Sequence, residues 1–118
     1  MNTGVKISEN IKEEHLKCLS FIGISLLRYT CKYYKKKDGR VLMVLTMSLK
    51  DSFLAHHSTK YNLHRTDAQI LKSYVESLWY FIKQLGVTIS RRGGNQLLVY
   101  EDDLDKLAGL LRLQGSIK

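Results

Sequence analysis

The sequence predicts a small α+β domain in which three helices alternate with two antiparallel β-hairpins packed on them. In three stretches, apolar residues recur at intervals of three and four positions, as they do on the buried face of a helix. Between these stretches lie two pairs of β-prone segments, each joined by turn-forming residues. A chain of 118 residues has room for one such core. We place it at residues 10–114, between flexible ends at 1–9 and 115–118.

The first helix is expected to begin at Asn10. The Asn10 side chain can cap the first turn, and Glu13, three positions later, would complete a capping box. The apolar residues that follow at helical spacing are Leu16, Leu19, Ile22, Leu26 and Leu27. This pattern predicts a helix that is buried along much of its length.

A β-hairpin is expected after Arg28. Alternating patterns rich in aromatic and β-branched residues run from Tyr29 to Tyr34 and from Val41 to Leu49. Asp38-Gly39 lies between them and favours a type I′ turn, which needs two positive φ angles. In the alternative interpretation, the first helix would continue to Lys37 and replace the first strand.

The longest helix is expected to start with a capping box formed by Thr66 and Gln69. Gly86 is well placed to end this helix in the left-handed conformation. The residues on its buried face are Ile70, Leu71, Tyr74, Val75, Leu78, Ile82 and Leu85. Before it, Lys50 to His57 is predicted to form a short helix.

A second hairpin and a last helix complete the predicted domain. The β-prone segments Val87 to Ser90 and Leu97 to Tyr100 flank Arg91 to Gln96, which has two glycines at its tip. The acidic residues Glu101 to Asp103 suit the positive end of a helix dipole and therefore mark the start of the last helix.

Two other architectures fit parts of this order. In a winged helix-turn-helix, Lys50 to His57 and Thr66 to Leu85 would be the helix pair and Arg91 to Gln96 the wing, although the connection is longer than usual. The order of helices and hairpins also resembles, in topology alone, homing endonucleases of the LAGLIDADG type. Their defining motif would fall near Leu19 to Leu27, where this chain has no acidic residue, so the resemblance implies no cutting activity.

The chain is strongly basic, with 19 Lys and Arg, 11 Asp and Glu, and a formal net charge of +8. Such an excess suggests a polyanionic partner, most often nucleic acid. The hydrophobic content of 44% excludes a disordered tail. No apolar stretch approaches the roughly 20 residues of a membrane span, and the polar N-terminus does not resemble a signal peptide. With only two cysteines, we expect an intracellular protein, cytoplasmic or nuclear, with no membrane partner.

Two basic segments are candidate nucleic-acid-binding sites. In the first hairpin, cations that can reach phosphates are interleaved with tyrosines that can stack on bases. In the second, two arginines lie beside flexible glycines and can fork onto a phosphate. The candidate residues are Arg28, Lys32, Tyr33, Lys35, Lys36, Lys37, Arg40, Arg91, Arg92 and Asn95. If both hairpin tips lie on one surface, their charges add.

Trp79 and Tyr80 are candidate contacts of a homodimer, because exposed aromatic residues anchor interfaces. A metal site is not expected. The histidine cluster His56, His57 and His64 has no cysteine close to it in sequence, and adjacent histidines point in different directions.

No constellation of nucleophile, base and acid supports a reaction, and the phosphate-binding glycine loops are absent. We therefore expect a non-catalytic protein without a cofactor that binds DNA or RNA through basic hairpin tips. The alternative is a protein-interaction adaptor that docks a basic face on an acidic protein partner, as a monomer or a homodimer.

Overall fold

The computed structural model describes residues 4–23, 27–51 and 66–118, which form a single α+β domain with a five-stranded antiparallel sheet and three helices. The elements are β1 (Val5–Ser8), α1 (Glu13–Ile22), β2 (Leu27–Lys35), β3 (Val41–Leu49), α2 (Asp67–Gln84), β4 (Ile89–Arg92), β5 (Gln96–Tyr100) and α3 (Glu101–Leu113). The strand order is β1-β2-β3-β5-β4. No helix within these ranges is both long and apolar enough to cross a membrane.

The three helices pack against one face of the sheet. On the central strand β3, Met43, Leu45 and Met47 point to this face, and each is at most 1% exposed. They belong to one core with residues of all three helices, including Leu19 and Ile82. Apolar residues recur at every second position on the strands and at helical spacing on α1, α2 and α3. Each element therefore has one apolar side, and these sides pack together.

α1 is shorter than the sequence predicted. Its N-cap is Lys12, whose side chain makes no capping bond, so the predicted capping box of Asn10 and Glu13 does not form. The backbone N–H of Asn10 instead donates to Ser8 Oγ at 3.3 Å. The helix ends at Ile22, and Leu27, predicted on the helix stripe, opens β2, where it pairs with Leu49 and is 2% exposed.

Residues 28–35 form a strand, so the alternative of a first helix continuing to Lys37 is wrong. β2 pairs with β3 from Leu27 opposite Leu49 to Lys35 opposite Val41. The turn that joins them differs from the predicted type I′, because only Gly39 within it has a positive φ, of 86°. Gly39 N–H donates to the Lys36 carbonyl at 3.0 Å, as in a three-residue hairpin turn closed by a glycine bulge.

The ends of α2 agree with the sequence. Thr66 Oγ1 accepts from Gln69 N–H at 3.2 Å, and Gln69 Oε1 accepts from Thr66 N–H at 2.8 Å, which is the predicted capping box. Gly86 follows with φ of 85°, the predicted left-handed conformation. The short helix predicted at Lys50 to His57 lies almost wholly outside the described residues.

Both ends of the domain make contacts that the sequence pattern did not predict. Within the segment 1–9, predicted to be flexible, Val5–Ser8 form β1, which pairs antiparallel with β2. Within 115–118, Ile117 packs against the core and Ser116 N–H donates to the Leu111 carbonyl at 2.8 Å. Short edge strands of this kind are hard to predict because their stability depends on pairing with a strand that is distant in sequence.

The winged helix-turn-helix is not confirmed. The first helix of its proposed pair, Lys50 to His57, falls almost wholly outside the described residues. Arg91 to Gln96, interpreted as the wing, contains the turn between β4 and β5 at one edge of the five-stranded sheet.

Candidate functional site

We call the sheet face turned away from the helices the open face. Successive side chains of a strand point to opposite faces, so this face carries the even-numbered residues of β2 to β5. They are Arg28, Thr30, Lys32, Tyr34, Leu42, Val44, Thr46, Ser48, Ser90, Arg92, Gln96, Leu98 and Tyr100. Leu42 and Val44 are 8% and 4% exposed, yet they are not part of the core that the helices cover.

Two tyrosines lie in one row at one end of the open face. Tyr34 pairs with Leu42, and Leu42 pairs with Tyr100 on its other side. The two tyrosines are therefore two strands apart, a separation of about 9.5 Å. Both are half-buried, and the Arg40 guanidinium lies over the Tyr100 ring, 3.7 Å from its centroid.

The middle of the open face is apolar, with a cation on one side. Val44 occupies the central strand, Lys32 pairs with it on β2, and Leu98 pairs with it on β5. Lys32 is exposed and forms no ion pair with another described residue. This row therefore places an exposed cation beside a buried apolar side chain. A hydrogen bond from Lys6 lowers the pKa of the Glu9 carboxyl, and the positive charge of Lys32 also helps to lower it.

A chain of hydrogen bonds crosses the next row of the open face. Thr30 Oγ1 donates to the Thr46 carbonyl at 3.4 Å, and Gln96 Nε2 donates to Thr46 Oγ1 at 3.1 Å. Arg92 Nε then donates to Gln96 Oε1 at 2.9 Å. These bonds orient the Arg92 side chain along the sheet surface.

Charge is segregated between the sheet and the rest of the domain. All 11 acidic residues of the chain lie outside the five strands. The strands instead carry cations, which are Lys6, Arg28, Lys32, Lys35, Arg91 and Arg92. The positive surplus that the composition shows is therefore concentrated on the sheet.

The two hairpin turns do not converge, so the condition under which their charges would add on one surface is not met. β5 runs antiparallel to β3, with Tyr100 opposite Leu42 and Gln96 opposite Thr46. The turn at Lys36 to Arg40 is therefore at one end of β3 and the turn at Gly93 to Asn95 at the other. From Leu42 to Ser48, β3 advances by about 20 Å.

Three of the predicted arginines are paired with carboxylates. The pairs are Arg28 with Asp51 at 2.9 Å, Arg40 with Asp102 at 2.8 Å, and Arg91 with Glu76 at 2.9 Å. Hydrogen bonds from Arg40 lower the pKa of the Asp102 carboxyl. Because each of these charges has a partner within the domain, they contribute less to a polyanion site than an unpaired cation does.

The other predicted binding residues divide between the two faces and the turns. Lys32 and Arg92 lie on the open face, whereas Lys35 and Arg91 point to the side of the helices. Lys36 and Lys37 belong to the first turn. Asn95 belongs to the second turn, where its carbonyl accepts from Met47 N–H at 2.9 Å.

Tyr33, predicted to stack on bases, lies in the core and is 1% exposed. Its hydroxyl accepts from the Lys12 N–H at 3.0 Å and lies 2.7 Å from His15 Nδ1. Its ring is therefore not available to a base, and Tyr34 takes the position on the open face. The sequence contained a signal for this assignment, because Tyr34 shares its parity with the charged Lys32, whereas Tyr33 shares its parity with Cys31.

His15 is a polar residue of the core that sequence reasoning missed. It is fully buried, and its Nε2 lies 2.5 Å from Asp105 Oδ1. With Glu14, these residues form a cluster of potential metal ligands within the described chain. A metal ion bound to both His15 and Asp105 would hold their atoms further apart than 2.5 Å, and Glu14 already pairs with Arg112 at 3.0 Å. We therefore interpret the cluster as structural.

The histidines considered in the sequence analysis, His56, His57 and His64, lie outside the described residues.

The two candidate dimer contacts differ in exposure. Trp79 is half-buried and its Nε1 donates to the Ile89 carbonyl at 3.1 Å, so its indole joins α2 to β4. Tyr80 is 60% exposed. The homodimer remains a prediction, and of the two residues only Tyr80 presents most of its surface to solvent.

No protein-family model, no curated protein and no solved structure matches this chain. The chemistry of the open face is therefore the basis on which a function can be assigned.

Proposed function

We propose that this chain is a non-catalytic nucleic-acid-binding protein that holds a phosphate backbone against its open face. The observation that carries the proposal is the segregation of charge. The strands carry six basic residues, counted as Lys6, Arg28, Lys32, Lys35, Arg91 and Arg92, and none of the chain's 11 acidic residues. Asp51 and Glu76 from outside the strands pair with two of these arginines, and the remaining surplus of cations attracts a polyanion, whose binding gains free energy from the release of counterions.

The cations of the open face provide contacts along its length. Arg28 and Arg92 lie towards one end, Lys32 lies in the middle, and Arg40 lies beside Tyr100 at the other end. A backbone that follows the strands would meet these side chains in succession over about 20 Å. The hydrogen bond from Arg92 to Gln96 supports its role, because a donor already held in place loses less entropy on binding.

The competing hypothesis is an adaptor that docks on an acidic protein. The same cations would serve such a partner, since carboxylates and phosphates both pair with Lys and Arg. The half-buried tyrosines at the end of the open face favour the nucleic acid, because base stacking on aromatic rings adds to the electrostatic attraction.

Fluorescence anisotropy of labelled RNA and DNA oligonucleotides at increasing salt concentrations tests the proposal. We expect binding whose affinity falls steeply with salt. The variant Lys32→Glu should bind several-fold more weakly, and its salt slope should be smaller by roughly 0.7 to 0.9. Lys106→Glu is the matched control, because Lys106 is equally an exposed lysine but lies on α3 in the helix layer.

Three results would contradict the proposal. One is the absence of binding to every oligonucleotide at low salt. Another is an equal loss of affinity in Lys32→Glu and Lys106→Glu, since the surplus charge and not the open face would then be responsible. The third is binding to polyglutamate as tight as to an oligonucleotide of equal charge, which would favour the acidic-protein adaptor.

A further inference from the structure

We infer that the open face binds an unpaired strand of nucleic acid, with bases stacked at Tyr34 and Tyr100. The inference rests on the proposed function and names the class of ligand. It is carried by the arrangement of the two tyrosine rings, the apolar residues between and beside them, and the exposed Lys32.

The tyrosines form two stacking positions in one row. They flank Leu42 on neighbouring strands, about 9.5 Å apart, a span that successive nucleotides of an unpaired strand can bridge. Each ring is half-buried, so it is held in place while part of it remains accessible. The Arg40 guanidinium, which Asp102 holds through hydrogen bonds of 2.8 and 3.2 Å, covers one face of Tyr100, so on that face a base would stack on the guanidinium plane.

The floor of the open face suits bases better than phosphates. Leu42 and Val44 lie at its centre, and Leu98 is half-buried beside Val44. A duplex keeps its base faces stacked inside and presents phosphates outward, so it would offer no base face to the Tyr34 ring or to the accessible part of Leu98. An unpaired strand can turn its bases towards the floor and stack them on the rings.

The position of the cations agrees with this orientation. Lys32 lies beside the apolar row, and Lys6 pairs in register with Tyr34 on the edge strand β1. Lys6 also pairs with Glu9, so Lys32 is the stronger candidate for a phosphate contact. Bases would then contact the apolar side chains of the open face, and phosphates would contact the cations at its rim.

The width of the sheet argues against insertion into a DNA groove. Five strands span about 19 Å between the outer strand axes. The major groove is about 12 Å wide and admits a helix or a two-stranded ribbon. The whole open face is therefore too wide to enter it, whereas a flexible single strand can follow its surface.

The test compares a mixed-sequence oligonucleotide as a single strand and as a duplex, in RNA and in DNA form, by fluorescence anisotropy with the full chain. We expect the single strand to bind at least about tenfold more tightly than the duplex. Tyr34→Leu and Tyr100→Leu should each weaken single-strand binding by about fivefold or more, while Tyr34→Phe should keep the affinity because it keeps the ring. Phe21→Leu, which alters an exposed aromatic residue on α1, should change nothing.

The outcomes separate this inference from the function on which it rests. If duplex and single strand bind equally and both leucine variants bind normally while Lys32→Glu is weakened, the nucleic-acid function stands and the inference is wrong. If no nucleic acid binds at low salt, the proposed function itself fails. The comparison of single strand with duplex uses the unmodified protein, so it decides the question even if a leucine variant does not fold. Parallel RNA and DNA titrations identify which backbone is preferred.

Discussion

The imidazole of His15 joins two helices and the sheet: its Nε2 lies 2.5 Å from Asp105 Oδ1 on α3, and its Nδ1 lies 2.7 Å from Tyr33 Oη on β2. A carboxylate only accepts hydrogen bonds, so Nε2 carries a proton, and in the neutral ring Nδ1 accepts from the Tyr33 hydroxyl. The same hydroxyl oxygen accepts from Lys12 N–H at 3.0 Å. A side chain of the sheet therefore holds the start of α1.

Removal of the Tyr33 hydroxyl should destabilise the domain. Tyr33→Phe leaves the Lys12 N–H and His15 Nδ1 without their partner in a buried position, which costs about 1–3 kcal/mol of unfolding free energy. The measurement is denaturant unfolding followed by circular dichroism.

Tyr29→Phe is the matched control for Tyr33→Phe. Burial raises the pKa of Tyr29 to about 12, and its buried hydroxyl has no hydrogen-bond partner among residues 4–23, 27–51 and 66–118. Loss of this hydroxyl should therefore leave the stability unchanged or increase it. Equal destabilisation by both variants would show that the network around His15 contributes nothing specific.

Gly23 should not tolerate a side chain. A Cβ at this position would overlap the Tyr29 hydroxyl and would lie 2.6 Å from the Leu19 carbonyl oxygen, which belongs to the backbone. Gly23→Ala should lower the melting temperature for this reason. Gly109→Ala is the comparison, because a Cβ there meets open space within α3, and the change should stabilise the helix by about 0.5–1 kcal/mol. A rise in melting temperature for both variants would contradict the close packing at Gly23.

The third prediction concerns the N-caps of α1 and α2. Thr66→Ala removes the side chain that accepts from Gln69 N–H and should cost about 1 kcal/mol of unfolding free energy. Asn10→Ala should have almost no effect, because no side-chain cap is present on α1 and Asn10 uses its backbone N–H to bond Ser8. Thermal unfolding of both variants measures the difference, and a larger loss for Asn10→Ala would show that the sequence-based cap is the correct one.

Both thiols should be unreactive in the folded protein. Cys18 and Cys31 are buried, and burial raises their pKa to about 11 and about 12. Little thiolate is therefore present near neutral pH, and the sulfur atoms are shielded from reagents. Iodoacetamide labelling followed by mass spectrometry should modify neither cysteine in native buffer and both in denaturant. Rapid labelling of the native protein would contradict the burial of these residues.

The same burial predicts a loss of stability at alkaline pH. An unfolded thiol has a pKa of about 8.5, while the folded values are raised by burial. Above about pH 8.5 the unfolded state binds fewer protons, so the unfolding free energy falls as pH rises towards the folded pKa values. In Cys18→Ala the fall should be shallower over this range. An identical pH profile for the variant and the unmodified protein would exclude Cys18 as a contributor.

The sequence predicted elements well where local signals were strong. The alternation in Val41–Leu49, the capping box of Thr66 and Gln69 and the acidic start of α3 all agree with the structure. Each signal depends on residues within one element or at its end. Where a boundary depended on contacts between elements, as at Asn10 and Leu27, the sequence-based prediction was wrong.

The candidate site could likewise be predicted from the sequence only in part. The basic character and the segments that carry it were evident from the composition and the order of residues. The choice between Tyr33 and Tyr34, and the pairing of Arg28, Arg40 and Arg91 with carboxylates, depended on which face of each strand the helices cover. The alternation along a strand shows that neighbouring side chains point to opposite faces of the sheet, but it does not show which face packs against the core.

The amino-acid order by itself determined the α+β class, the two hairpins and the strong positive charge, because periodicity, turn residues and composition are local properties. Only the tertiary structure decided that β5 lies beside β3, that the two hairpin turns lie at opposite ends of the sheet, and that the cations of the strands divide between its two faces. The physical reason is that strand pairing joins residues about 50 positions apart, such as Thr46 and Gln96, through hydrogen bonds that any backbone can make.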